Sequence, residues 1–243
     1  MIAAFDPSIT HLGWVLFDPD SGHAVHGGVF KTSPADGLLV QRIIAQREKV
    51  RFFLNHYKID FISMEAPYWG DFSTEILFAL NQHLHEIFLD LKLFVLYLQP
   101  LVIKKMALPN MSCDEITKHH MTHQAKKELD KEGKRFSEHV ADAYFVGKIG
   151  LRFYNWYIKG KLRDEDLTPE EYKLFCEKHT FVRGLKKGMT EYKGIIYRKN
   201  DQYFDYRKNE RDSHKIAEEV ITQSAEEILH GSSIKSSISG RIF

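Results

Sequence analysis

Met1-Ile2-Ala3-Ala4-Phe5-Asp6-Pro7-Ser8-Ile9-Thr10-His11-Leu12-Gly13-Trp14-Val15-Leu16-Phe17 is the stretch on which the reading of the fold turns. An apolar run, Ile2–Phe5, stops at Asp6, and a second, Leu12–Phe17, follows a short break. Asp18-Pro19-Asp20-Ser21-Gly22 is dense in turn formers, and Ala24–Lys31 is a third extended run, interrupted by Gly27-Gly28. Three extended runs on short links predict a three-stranded antiparallel meander.

Working outward, Leu38–Tyr57 carries Leu39, Ile43, Val50 and Leu54 at helical spacing. Asp60–Met64 reads as a fourth strand ending at Glu65. Phe72–Leu91 reads as a helix with Phe72, Ile76, Leu80, Leu84, Ile87 and Leu91 on one stripe. Leu93–Leu98 reads as a fifth strand stopped by Pro100. Ser112–Leu129 and Phe136–Tyr157 read as two more helices, and Ser112 stands three residues before Glu115, as in a capping box. Three hairpin-linked strands followed by β–α alternation predict an α/β fold, a mixed five-stranded sheet with helices on both faces. Right-handed crossovers set the fourth and fifth strands parallel to the first. Their C-terminal ends then share the rim on which sites form in open α/β sheets.

The 243 residues suit one domain with an appendage. The division expected is 1–158 for the sheet domain and 159–243 for a basic C-terminal α/β extension. A helix around Ser213–Leu229, with Ile216, Ala217, Val220, Ile221, Ala225 and Ile228 on one side, and a mobile Ser-rich tail would end that extension. Hydrophobic residues at 43% exclude a disordered chain, and no apolar run is long enough to span a membrane. No basic segment precedes the first apolar run, so no secretory signal is expected; Cys113 and Cys176 then read as thiols of a reducing, cytoplasmic setting. Net charge is +1, but residues 178–215 hold 11 basic and 5 acidic groups with Tyr192, Tyr197, Tyr203, Phe204 and Tyr206 among them. Such a patch can track a phosphate backbone, or be a solvated hairpin.

Three acidic positions fall at equivalent places. Asp6 ends strand one, Glu65 ends strand four, and Asp142 sits near the start of the helix 136–157. Neighbouring strands one and four would bring Asp6 to Glu65, and a helix crossing that rim would add Asp142. Carboxylates gathered in a cleft repel unless a cation neutralises them, and hard oxygen ligands select Mg²⁺ or Mn²⁺. Two such ions about 4 Å apart serve displacement at phosphorus. His139, at i−3 from Asp142, and Glu138, at i−4, each lie close enough to add a ligand.

The run Ile2 to Val15 resembles the first motif of the RuvC-type Holliday junction resolvases, an apolar strand, Asp-Pro-Gly or Asp-Pro-Ser, and then Gly-aromatic. Ile62-Ser63-Met64-Glu65 and His139-Val140-Ala141-Asp142-Ala143 resemble its later motifs, in the same order, over about residues 1–158. The resemblance implies an RNase H-like fold and an Mg²⁺-dependent homodimeric endonuclease that nicks four-way junctions, with two ions per site and Mn²⁺ able to substitute. It implies Asp6, Glu65, His139 and Asp142 as ligands. Tyr68, or Trp69 in its place, takes the position of an aromatic that stacks on bases at the crossover. Lys104 and Lys105 resemble the family's basic segment. Lys118 matches a lysine near the scissile phosphate, although Leu108-Pro109-Asn110-Met111 stands where the family has a Gly-rich loop. Residues 159–243 have no counterpart, and Lys186, Lys187, Arg198 and Lys199 are the phosphate contacts expected there.

His119, His120 and His123 lack the Glu and Cys companions of a zinc site, and His83 and His85 read as exposed or interfacial. No Walker-type loop, Gly-x-Gly-x-x-Gly or Gly-x-Ser-x-Gly motif supports nucleotide binding or serine hydrolase chemistry. The alternatives are an RNase H-like nuclease acting on RNA–DNA hybrids and a non-catalytic DNA-binding module on the same fold. An actin-like kinase would need phosphate loops and a repeated domain that the chain lacks.

Overall fold

β1 (Ile2–Asp6) is buried on both sides, and its side chains alternate between two apolar clusters, Ile2 and Ala4 in one and Ala3 and Phe5 in the other. The structure, a computed structural model, describes residues 1–66, 73–129 and 137–176, and beyond them the backbone of four strand segments. β2 (His11–Phe17) pairs antiparallel with β1, and β3 (Ala24–Lys31) with β2. β4 (Phe61–Glu65) and β5 (Phe94–Leu98) run parallel to β1 on its other side. The five strands expected therefore form one mixed sheet in the order β3-β2-β1-β4-β5.

Helices cover both faces. α1 (Leu39–His56) and α2 (Ser73–Asp90) close one side over Phe5, Leu12, Ile62 and Val95. In α2 the stripe residues Leu80, Leu84 and Ile87, together with Phe88, are fully buried. The other side is closed by α3 (Pro100–Ala107), α4 (Lys118–Leu129), α5 (Glu138–Phe153) and α6 (Pro169–Phe175). α5 is the central helix of that layer and comes very near the strands because small residues line the contact. A Cβ at Gly147 would sit 2.9 Å from Ala4 Cβ, and one at Gly150 would sit 2.7 Å from Ser63 Oγ. Ser63, itself buried, donates its hydroxyl to the Val146 carbonyl at 2.9 Å.

The chain after residue 158 returns to this body. Phe175 of α6 packs edge-on against Phe153 of α5 at 5.5 Å between ring centroids. β8 (Ile195–Lys199) pairs antiparallel with β5, and β9 (Gln202–Phe204) with β8, so the sheet grows to seven strands; β6 (Lys178–Thr180) and β7 (Thr190–Tyr192) form a separate ribbon.

Three expectations are corrected. The helix placed at Ser112 begins at Lys118 instead. The Ser112 hydroxyl does donate to Glu115 Oε2 at 2.9 Å, and the Glu115 amide to the Ser112 carbonyl at 3.1 Å, but the pair closes a turn and not a helix. The start belongs to Thr117, whose carbonyl takes the Met121 amide. α3 was not expected, since Pro100 read as a strand stop; proline at the first helical position instead starts the helix. His85 is buried, 5% exposed, with Nδ1 2.7 Å from the Tyr97 hydroxyl. Tyr68, Trp69, Lys186, Lys187, the 213–229 helix and the Ser-rich tail lie outside the described residues.

Candidate active site

Strand register brings the first two carboxylates together. Phe5 lies beside Met64 in the parallel β1–β4 pair, so Asp6 and Glu65 follow side by side at the C-terminal rim. α5 delivers the third. Its N-terminus is capped by the Ser137 hydroxyl, which accepts the Val140 amide at 3.4 Å. That first turn descends onto β2 at Gly13, where a Cβ would overlap the His139 carbonyl oxygen and stand 2.6 Å from its carbon. Only a residue without a side chain admits the helix there, and that approach sets His139 and Asp142 over the ends of β1 and β4.

Burial first, and then the neighbouring carboxylates, sets the electrostatics of the cluster. Glu65 is pushed from 4.5 up to about 8, by burial first and then by Asp6 and Asp142; Lys118 and then Lys104 pull it partly back. Asp142 is pushed from 3.8 up to about 6, by burial and then by Asp6, again against Lys118. His139 is raised, chiefly through its polar contact with Asp6, and burial opposes the rise. Its Nδ1 lies 3.7 Å from Asp6 Oδ2, and its Nε2 lies 3.7 Å from Glu138 Oε1. The Glu138 side chain is half exposed, whereas those of His139 and Asp6 are only 20% and 15% exposed.

Asp6, Glu65, Asp142 and His139 thus gather at one end of the sheet, with Lys118 and Lys104 within electrostatic range. Lys105 is directed elsewhere, donating to the Pro109 carbonyl at 2.8 Å. Arg198 and Lys199 belong to β8, beyond β5. His120 holds the start of α4, its Nδ1 accepting the Thr117 amide at 3.3 Å.

Two contributors were not singled out from the sequence. His11, the first residue of β2, stacks on His139 with 5.1 Å between centroids and 2° between planes. Gln46 of α1, fully buried, donates to the Ile9 and Phe30 carbonyls at 3.0 Å each and so fastens the loop that follows Asp6. Thr32 binds the Ile9 carbonyl as well. Nothing local in the sequence marks either: His11 needs the helix at Gly13, and Gln46 reads as one polar residue on an amphipathic helix.

Among the described residues no group of three or more His, Cys, Asp or Glu side chains is arranged to hold a metal ion as it stands. The donor types nonetheless fit a hard divalent cation, being three carboxylates and an imidazole. Burial, and after it the neighbouring carboxylates, disfavours the ionised forms of Glu65 and Asp142, and a cation bound there would favour them. Among the described residues, too, no helix is long and apolar enough to cross a membrane.

No protein-family model and no curated protein matches the chain. Solved structures do. Thermus thermophilus RuvC in complex with a Holliday junction substrate superposes with a TM-score of 0.51 at 22% identity, covering 64% of this chain and 94% of that one. A further Thermus thermophilus RuvC structure gives 0.50 at 21%, covering 64% and 95%. The fold is RuvC-like, within the RNase H-like class.

Proposed function

We propose that this chain is a metal-dependent endonuclease that nicks branched DNA, four-way junctions first among them. One observation carries the reading: Asp6, Glu65, Asp142 and His139, from three elements, converge at the rim of a RuvC-like sheet with Lys118 in electrostatic range. The RuvC that superposes on this chain was solved with a Holliday junction substrate.

In this reading Asp6, Glu65, Asp142 and His139 hold Mg²⁺, with two ions per site and Mn²⁺ as a substitute. Bound there, the ions neutralise the carboxylates and polarise the scissile phosphate. Asp6 comes from a strand and Asp142 from a helix, so a cation held by both would tie the two layers together at this rim. Lys118, within electrostatic range of those carboxylates, stabilises the charge that develops on the phosphate. The basic stretch 178–215 and Lys104 bind the backbone of the DNA arms, and Tyr68 or Trp69 stacks on bases at the crossover. A pair of chains related by a two-fold axis presents two sites to a four-way junction. Light scattering of the chain alone and with junction DNA reads that stoichiometry.

The test uses labelled four-way junction, linear duplex and RNA–DNA hybrid, each with Mg²⁺ and with EDTA. Paired nicks in the junction that require Mg²⁺ are expected. Preferred cleavage of the hybrid would make the chain an RNase H-like nuclease of another substrate. Tight junction binding without cleavage in Mg²⁺ or Mn²⁺ would make it a binding module.

A further inference from the structure

His11 and Gly13 lie two residues apart on β2 and so face the same side of the sheet. That side receives the first turn of α5. Gly13 makes room for the His139 backbone, while the His11 ring lies flat on the His139 ring, 2° from parallel. His139 is thereby held from three directions, with the His11 ring across its face, Asp6 at Nδ1 and Glu138 at Nε2. Asp6 and Glu138 engage the two ring nitrogens, whereas His11 engages the face of the ring. A flat neighbour removes rotations out of the shared plane.

We propose that His11 is a positioning residue: its ring, laid on His139, fixes the plane in which His139 presents Nδ1 beside Asp6. The inference rests on the reading that His139 and Asp6 serve a metal-dependent nuclease. His11 itself touches neither metal nor phosphate in this role; it acts through His139. What it supplies is a flat face, so another flat side chain can replace it.

The test compares wild type, His11→Ala and His11→Phe, with His139→Gln assigning the His139 ring signals by NMR. Three quantities are read: the His139 ring shifts, the Mn²⁺ concentration that half-broadens them, and the single-turnover rate on junction DNA at saturating protein. In His11→Ala the ring signals move, the Mn²⁺ midpoint rises about tenfold, and cleavage slows by a similar factor, as when an outer partner of a ligand is removed. Junction affinity measured in EDTA stays the same. His11→Phe restores most of the midpoint and the rate. Unmoved ring signals in His11→Ala would overturn the proposal, as would moved signals with an unmoved Mn²⁺ midpoint. A His11→Phe variant as impaired as His11→Ala would also overturn it, since His11 would then act through a ring nitrogen. If wild type cuts no junction while the Mn²⁺ midpoint still shifts, the nuclease reading fails and the positioning role stands.

Discussion

The His139 carbonyl occupies the space that a side chain on Gly13 would need. One glycine on a strand thus decides how far a helix from the other end of the domain can descend. Gly13→Ala forces helix and strand apart by overpacking, at a cost of about 1–3 kcal/mol. That is less than the roughly 5–15 kcal/mol that holds a domain together. The variant should therefore stay folded by circular dichroism while junction cleavage falls by ~100-fold, as expected when reacting groups are displaced by about 1 Å. Full activity would show that the fit at Gly13 does not locate the site.

Asp6→Asn and Asp142→Asn each keep the side-chain shape and remove one charge. Cleavage should fall by orders of magnitude while junction binding in EDTA survives. Each change also relieves Glu65, which both carboxylates push upward. Either variant should accordingly melt higher than wild type in EDTA. Lower melting temperatures would mean that the carboxylates stabilise the metal-free fold.

The pH dependence follows with a definite sign. Glu65 and Asp142 have folded values of about 8 and about 6, against ordinary values of 4.5 and 3.8. Between the ordinary and the folded values the native chain holds protons that the unfolded chain has released, so stability falls as pH rises through that window. In EDTA the melting temperature should drop from pH 5 to pH 8. Mg²⁺ should restore more of it at pH 8 than at pH 5. A melting temperature that climbs over this range in EDTA would contradict the electrostatic picture.

Lys118 and Lys105 separate two kinds of lysine. Lys118 acts on Glu65, Asp142 and His139, whereas Lys105 bonds the Pro109 carbonyl. Lys118→Ala should slow cleavage by ~100-fold or more, the scale seen when one electrostatic donor is removed from a reaction centre. Lys105→Ala should change cleavage by less than about twofold, as a surface substitution away from such a centre. Equal losses from both would place the scissile phosphate nearer α3 than the site geometry implies.

Neutralising Lys186, Lys187, Arg198 and Lys199 together should weaken binding to all junction sequences alike. Every phosphate that these side chains cease to neutralise lowers the salt slope by roughly 0.9. Base preference should not change, because binding to phosphates carries no sequence information. An unchanged slope in a folded variant would leave this stretch a structural hairpin.

Much of the candidate site's placement was legible because β-strands end where their apolar runs end. Asp6 and Glu65 are each the first charged residue after such a run, and parallel pairing then sets them together. Asp142 followed from a helix whose first turn carries Glu138 and His139. What stayed hidden depends on partners far along the chain. The stack of His11 on His139 spans the two ends of the domain, and the burial of His85 depends on Tyr97 of β5. The Ser112–Glu115 pair shows the opposite failure, a correct local motif read as the start of a helix that begins only after Thr117. The pairing of β8 with β5 carries no local signal at all.

That last pairing bears on how the chain can be shortened. Cut after Ile158, the protein would keep every carboxylate of the site, yet Val95–Leu98 would become a bare, apolar sheet margin and Phe153 would lose Phe175. Unpaired strands of that kind recruit one another. The minimal unit that remains dispersed in solution is therefore longer than the minimal unit that holds the site.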